Sequence, residues 1–415
     1  MFTLGPDLTE FRGWLTATGY SRWTIHNYMS SVREFLRYLD DRSIPLAKVN
    51  SSHIEAYRQH RLRQYKRHHG RTPTNMIHWR ARRSGGISHF LRAVLGDWPR
   101  RPPPQNAVEA FIRDLLAEYR GRLSTYDNLA PSTIVGRLEE AERFLIWCAD
   151  RGALSDTLEL SVGDVDAFVQ HRASGMRRTT CSHMTRLLRS FLQFLHTAGK
   201  VPVDLSAQVV VPTLYQYEFL PSILDADQVA AVLREARKDR SPKGRRDYAI
   251  LMLLATYGLR GGEVVRLQLT DVNWRADTLS IVHSKTRMCT TLPLVPQVGE
   301  ALLAYLRKGR PKVASREMFL RLKAPFIRLK GPSSLYDMVR EHIAAAGVRP
   351  IGKQGSHLFR HARAVTLLRA GVHVKTISDL LGHRTLKSTS VYFKLQSEEL
   401  RSVALPLPRG QGGAL

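Results

Sequence analysis

Two stretches of this chain carry the same helical signature. Thr24-Ile25 followed by Phe35-Leu36 returns as Thr133-Ile134 followed by Phe144-Leu145, with the same internal spacing. Further along, Ile54, Ala56, Tyr57, Gln59, His60 and Arg61 match Val165, Ala167, Phe168, Gln170, His171 and Arg172. Each copy closes on an aromatic helix, around His89-Phe90-Leu91 in one and Phe191-Leu192 in the other. An internal repeat of this kind constrains the fold strongly, because each copy must be one structural unit. Apolar positions such as Ile25, Met29, Val32, Phe35, Leu36 and Leu39 fall at helical spacing, which predicts two tandem helical modules with mostly buried stripes.

Two breaks mark the ends of the copies. Gly96 to Pro104 is rich in proline and cannot continue a helix, and Val211-Pro212 through Leu220-Pro221 makes a second interruption. They divide the chain into 1–95, 105–211 and 220–415. The later half of each copy lacks acids. Arg58 to Arg83 contains Arg58, Arg61, Arg63, Lys66, Arg67, Arg71, Arg80, Arg82 and Arg83 with no Asp or Glu. Ala167 to Val203 likewise has none, while carrying Arg172, Arg177, Arg178, Arg186, Arg189 and Lys200. The chain as a whole has a formal net charge of +27, dominated by arginine, so a polyanion is the expected partner. Acid-free runs at matching places in two copies predict contact with a phosphate backbone, through Arg58, Arg61, Arg63, Lys66, Arg67, Arg172, Arg177, Arg178, Arg186 and Arg189. No stretch is apolar enough to span a bilayer, the N-terminus lacks a secretory pattern, and the scattered Cys148, Cys181 and Cys289 have neither pairing nor metal-ligand spacing. A cytoplasmic, nucleoid-associated protein with reduced thiols is expected.

The third piece mixes signals. Asp225 and Gln228 have capping-box spacing ahead of Val229, Val232, Leu233 and Ala236. A buried helix over Tyr248 to Tyr257 should stop at Gly258. Residues 278–282 and 290–294 are predicted as two short strands around a polar turn, and the helical pattern resumes after Pro296. The expected fold is mainly α, with a small antiparallel β-sheet in this last domain.

Three separated segments of that domain hold residues suited to phosphate or proton transfer. They are Gly258-Leu259-Arg260-Gly261-Gly262-Glu263, the hairpin turn His283-Ser284-Lys285-Thr286-Arg287, and His357-Leu358-Phe359-Arg360-His361 followed by Leu381-Gly382-His383 and Tyr392. His357 and His361 share a helix face, which invites a zinc site, yet a zinc-peptidase helix needs a glutamate after its first histidine and Leu358 stands there. Arg360 would also set a permanent cation beside the metal. The same residues suit phosphate, since a guanidinium binds two oxygens and an imidazole moves a proton. No metal or nucleotide cofactor is signalled.

Together these segments resemble the tyrosine recombinase (phage integrase) family. Gly258, Arg260 and Glu263 match its Gly-x-Arg-x-x-Glu box. Lys285 stands eight residues before Pro293-Leu294, as the family's hairpin lysine does. His357, Arg360 and His361 match His-x-x-Arg-His, and Tyr392 follows His383 of Leu-Gly-His by nine residues. The resemblance covers 220–398, and it extends to the 105–211 module as a core-binding domain. It implies that Tyr392 attacks a scissile phosphate to form a 3′-phosphotyrosyl bond, with Arg260 and Arg360 clamping the equatorial oxygens and His357 accepting the phenolic proton. Lys285 would protonate the leaving 5′-oxygen and His383 would hydrogen-bond a non-bridging oxygen, with Glu263 and His361 supporting.

The implied protein is an integrase or transposase of a mobile element, a site-specific recombinase acting on double-stranded DNA as a homo-tetramer or beside sister recombinases. A DNA-binding regulator and a topoisomerase-like enzyme on the same scaffold stay open. This chain departs from the family in its extra N-terminal module, in Gly261-Gly262 after Arg260, and in Leu358-Phe359 after His357.

Overall fold

The computed structural model describes residues 6–127, 129–154, 158–214, 222–283, 288–352 and 354–382. The first copy of the repeat folds as α1 (Pro6–Ala17), α2 (Arg22–Asp40), α3 (Ser51–His69) and α4 (Met76–Leu95). The second folds as α5 (Ala107–Thr125), α6 (Pro131–Asp150), α7 (Val162–Ala173) and α8 (Arg178–Thr197). The starts of these helices follow local chemistry. Ser21, Asn75 and Asn106 each accept a hydrogen bond from a backbone N–H of the first turn, Ser161 and Asp164 form a reciprocal capping box, and Pro131 opens α6.

The repeat read from the sequence has a counterpart in packing. In the first module Phe35 of α2 meets Tyr57 of α3 edge-on at 5.2 Å and 74°. In the second, Phe144 of α6 meets Phe168 of α7 at 5.0 Å and 75°. The last helix of each module adds its matched ring: Phe90 lies 5.5 Å from Phe11, and Phe191 lies 5.1 Å from Tyr119. All eight rings are buried, and edge-on pairs of this kind add to the burial of the rings themselves. Each module therefore has its own apolar core.

The remainder is built on α10 (Pro242–Tyr257), which packs against α9 (Ala226–Lys238), α12 (Pro296–Lys308) and α14 (His357–Arg369). Ile250, Leu251, Leu253 and Leu254 of α10 are all buried, as expected of a helix apolar on every side. Asp225 and Gln228 form the predicted capping box at α9, and Gly258 ends α10 in the left-handed conformation. After α11 (Gly261–Arg266), strands β1 (Val272–Asn273), β2 (Thr278–Val282) and β3 (Cys289–Pro293) form an antiparallel sheet in that order. Leu279 pairs with Leu292 and Ile281 with Thr290. Strand β1 was not legible in the sequence, since two residues show no alternation. It pairs with β2 through a turn in which Asn273 Oδ1 accepts from the backbone N–H groups of Arg275 and Ala276, both at 3.1 Å. The Tyr257 hydroxyl then joins the end of α10 to the sheet, donating to Pro293 O at 2.8 Å and accepting from Val295 N–H at 2.9 Å. The domain closes with α13 (Tyr336–Ala345), α14 and α15 (Val374–Leu380).

Residues Met1–Pro99 and Phe219–Leu415 form one compact unit, and Arg100–Glu218 form another. Within the first unit, the helical module meets the domain after it where Phe326 N–H donates to Thr18 O at 2.9 Å. The three cysteines are free. Among the described residues no helix is long and apolar enough to cross a membrane.

The aromatic pairing predicts a clear contrast. Phe144→Ala should destabilise the 100–218 unit by about 3–5 kcal/mol, whereas Trp23→Ala should change stability by less than about 0.5 kcal/mol, because Trp23 is exposed. Denaturant unfolding of the two variants beside the parent checks both.

Candidate active site

The site is assembled around the end of α10. Gly258 turns the chain out of the helix, and two residues later Arg260 caps α11. Glu263, in the first turn of α11, accepts from the Arg260 backbone N–H at 2.8 Å through one oxygen and from the Arg260 guanidinium at 2.8 Å through the other. Its carboxylate side chain has no exposure to solvent, and the Arg260 side chain is only 15% exposed. A lone buried charge would be strongly unfavourable, so the acid and the guanidinium each make the other tolerable. His283, just past β2, supplies a third partner, with Nδ1 at 3.1 Å from Glu263 Oε1. Burial pushes the Glu263 carboxyl upward, but the hydrogen bonds from His283 and Arg260 outweigh it and bring it down from 4.5 to about 2.

Arg360, on the first turn of α14, is buried and donates to two backbone carbonyls. One is Gly258 O at 2.8 Å and the other is Leu381 O. Arg260 donates to the very next carbonyl, Gly382 O, at 3.1 Å. The two guanidiniums are thus fixed on consecutive carbonyls of the turn that leads into His383. This contact joins three parts of the motif that lie far apart in the chain. Gly261 is part of the same fit: a Cβ there would stand 2.8 Å from Ser356 Oγ, at the start of α14. The Gly261-Gly262 pair that departs from the family pattern is buried, and it lets α11 and the α14 end approach closely.

His357 begins α14 and is exposed, while His361 sits one turn on and is largely buried, their rings 6.1 Å apart. Burial is the main reason the His361 imidazole titrates at about 4 instead of 6.5, and the neighbouring His357 and Arg360 push the same way. His361 is therefore neutral at physiological pH.

Of the residues singled out in the sequence, Arg260, Glu263 and Arg360 come together here, and His357 and His361 lie on the same helix as Arg360. Lys285, His383 and Tyr392 lie outside the described residues. His283 was present in the hairpin motif but had no role assigned to it. The signal for it was the alternation of β2, which carries Leu279, Ile281 and His283 to one buried face.

The ten expected DNA-contacting side chains divide into two sets. Arg58 donates to Ser84 Oγ and pairs with Glu55 at 3.2 Å, Arg61 pairs with Glu34 at 3.0 Å, and Arg172 pairs with Glu140 at 3.4 Å. These three serve their own modules, and the matched Arg61 and Arg172 do so in the same way, each bridging to the second helix of its copy. Arg63, Lys66, Arg67, Arg177, Arg178, Arg186 and Arg189 are exposed.

The domain is thus mainly helical with a three-stranded sheet, and two of its arginines are braced on one turn. The phage integrase family model matches residues 222–399, and the model of the phage integrase N-terminal SAM-like domain matches residues 8–72. The integrase/recombinase y4rF of Sinorhizobium fredii is 34% identical, covering 98% of this chain and 92% of its own. Tyrosine recombinase XerD of Lacticaseibacillus casei is 27% identical over 70% of this chain and 97% of its own. The solved XerH site-specific recombinase, bound to its difH substrate, superposes with a TM-score of 0.53 at 17% identity, covering 72% of this chain and 89% of that one. The chain belongs to the phage integrase family of tyrosine recombinases. The SAM-like match falls on the first helical module.

The titration of His361 gives a measurable consequence. Its folded-state value lies below its unfolded one, so the unfolded chain takes up the proton first as pH falls. The stability it protects is complete above 6.5 and is lost between 6.5 and about 4, by up to about 3 kcal/mol. Urea unfolding across that window should show this slope in the parent and a shallower one in His361→Asn.

Proposed function

We propose that this protein is the site-specific recombinase of a mobile genetic element, cutting and rejoining duplex DNA through a covalent bond to Tyr392. The observation that carries the reading is the bracing of Arg260 and Arg360 on the consecutive carbonyls of Leu381 and Gly382. It sets two permanent cations beside the chain segment that runs on to His383 and Tyr392.

The proposed chemistry follows from the residue types. Attack of the Tyr392 oxygen on a backbone phosphorus breaks the bond to the 5′-oxygen and gives a 3′-phosphotyrosyl ester. Negative charge then grows on the equatorial oxygens, where Arg260 and Arg360 would stabilise it most. A phenol is mostly protonated at neutral pH, with an ordinary pKa of about 10, so an acceptor for its proton is required. The exposed His357 is suited to that task. Lys285 would protonate the departing 5′-oxygen, and His383 would hold a non-bridging oxygen. One ester replaces another, so bond energy is retained and the exchange itself calls for no ATP or metal.

Duplex DNA would be gripped by the two helical modules, 1–95 and 105–211, through Arg63, Lys66, Arg67, Arg177, Arg178, Arg186 and Arg189. Synapsis of two duplexes would take a tetramer of this chain or of this chain with sister recombinases.

Nicked suicide duplexes drawn from the ends of the DNA element that encodes the chain test the reading on a denaturing gel. The parent should form a covalent adduct in EDTA, and Tyr392→Phe should form none. An adduct that disappears on chelation, or that survives in the phenylalanine variant, would exclude this mechanism. Replacing both Arg186 and Arg189 with alanine should weaken binding and lower the steepness of its salt dependence by about 2 in log–log slope, measured by titrating duplex at several salt concentrations.

A further inference from the structure

His283 is one of the few fully enclosed polar side chains of this domain, 2% exposed, and both of its ring nitrogens have partners. Nδ1 faces Glu263 Oε1 at 3.1 Å and Nε2 faces the Thr290 hydroxyl of β3 at 3.0 Å. An ionised carboxylate only accepts, so Nδ1 carries a proton and donates it. In the neutral ring, Nε2 then accepts from the hydroxyl of Thr290. The same Oε1 that receives His283 also receives the Arg260 guanidinium. The flat of the ring lies against Gly382, where a Cβ would come within 2.5 Å of it, and the carbonyl of Gly382 holds the other end of Arg260. His283 therefore touches both anchors of Arg260 while making no bond to Arg260 itself. It also follows directly on β2, two residues before Lys285 in the sequence.

We propose that His283 is a positioning residue for strand cleavage. It holds the oxygen of the Glu263 carboxylate that Arg260 also uses and keys the β2–β3 hairpin to the Gly382 turn, so that the guanidinium and the hairpin are held in one register. The physical requirement is narrow. Without the imidazole, the Glu263 carboxylate keeps the two bonds from Arg260 itself but loses the bond from His283, so the acid and the guanidinium can shift together; with it, the pair is tied to β3 through Thr290. Arg260 then meets the phosphate in a single orientation, and the gain falls on the transition state, where its charge matters most.

This role presupposes covalent cleavage by Tyr392, so the test runs on the same suicide duplex and reads two quantities, the affinity for DNA and the rate of adduct formation at saturating protein. His283→Leu removes both bonds. His283→Asn keeps an N–H donor near the Nδ1 position. His283→Gln carries its amide nearer the Nε2 position. The leucine and glutamine variants should cleave about tenfold to a hundredfold more slowly with DNA affinity unchanged, and the asparagine variant should stay within about threefold of the parent. If the leucine variant does not fold, the comparison of asparagine with glutamine decides alone. Equal rates for asparagine and glutamine, or a loss confined to affinity, would overturn the positioning role. Absence of any adduct with the parent protein would instead overturn the cleavage reading on which it rests.

Discussion

A carboxylate sealed from water, that of Glu263, is the interaction on which the catalytic domain depends. Its charge would be prohibitive in the interior without partners, and those partners come from different parts of the chain. Arg260 caps α11, His283 follows β2, and through Arg260 the carbonyl of Gly382 is drawn in from just past α15. Each must be in place for the others to be satisfied. Helix α10, the sheet and the C-terminal helices are therefore locked to one another at the point where the phosphate chemistry is assigned.

Arg360 extends the same logic. A buried guanidinium needs acceptors within the fold, and backbone carbonyls supply them here. By donating to Gly258 O and Leu381 O, Arg360 joins the end of α10 to the turn after α15, and Arg260 adds a bond to Gly382 O of the same turn. The glycines follow from these contacts. Gly261 gives α11 its close approach to Ser356, and Gly382 makes room for the ring of His283.

The helical modules show how a repeat can be kept in packing while its surface changes. The aromatic pairs Phe35–Tyr57 and Phe144–Phe168 have nearly identical geometry, and Arg61 and Arg172 each bridge to the preceding helix. These positions were read from the sequence as matched, and the apolar ones are core as expected. The arginines were read as DNA contacts because a run free of acids gives no local partner. Their partners, Glu34 and Glu140, stand well upstream on another helix, where linear inspection of the run cannot see them.

The amino-acid order by itself determined the helical modules, the breaks between them and the hairpin strands, and it marked the segments around Arg260, Lys285, Arg360 and Tyr392 as candidates. Those features rest on periodicity, capping and turn chemistry, which act over a few residues. Only the tertiary structure decided that Arg360 is buried on two carbonyls, that β1 joins the sheet, and that His283 shares an oxygen with Arg260. Each depends on groups that are distant along the chain and meet only when the core has formed, so no local pattern records them.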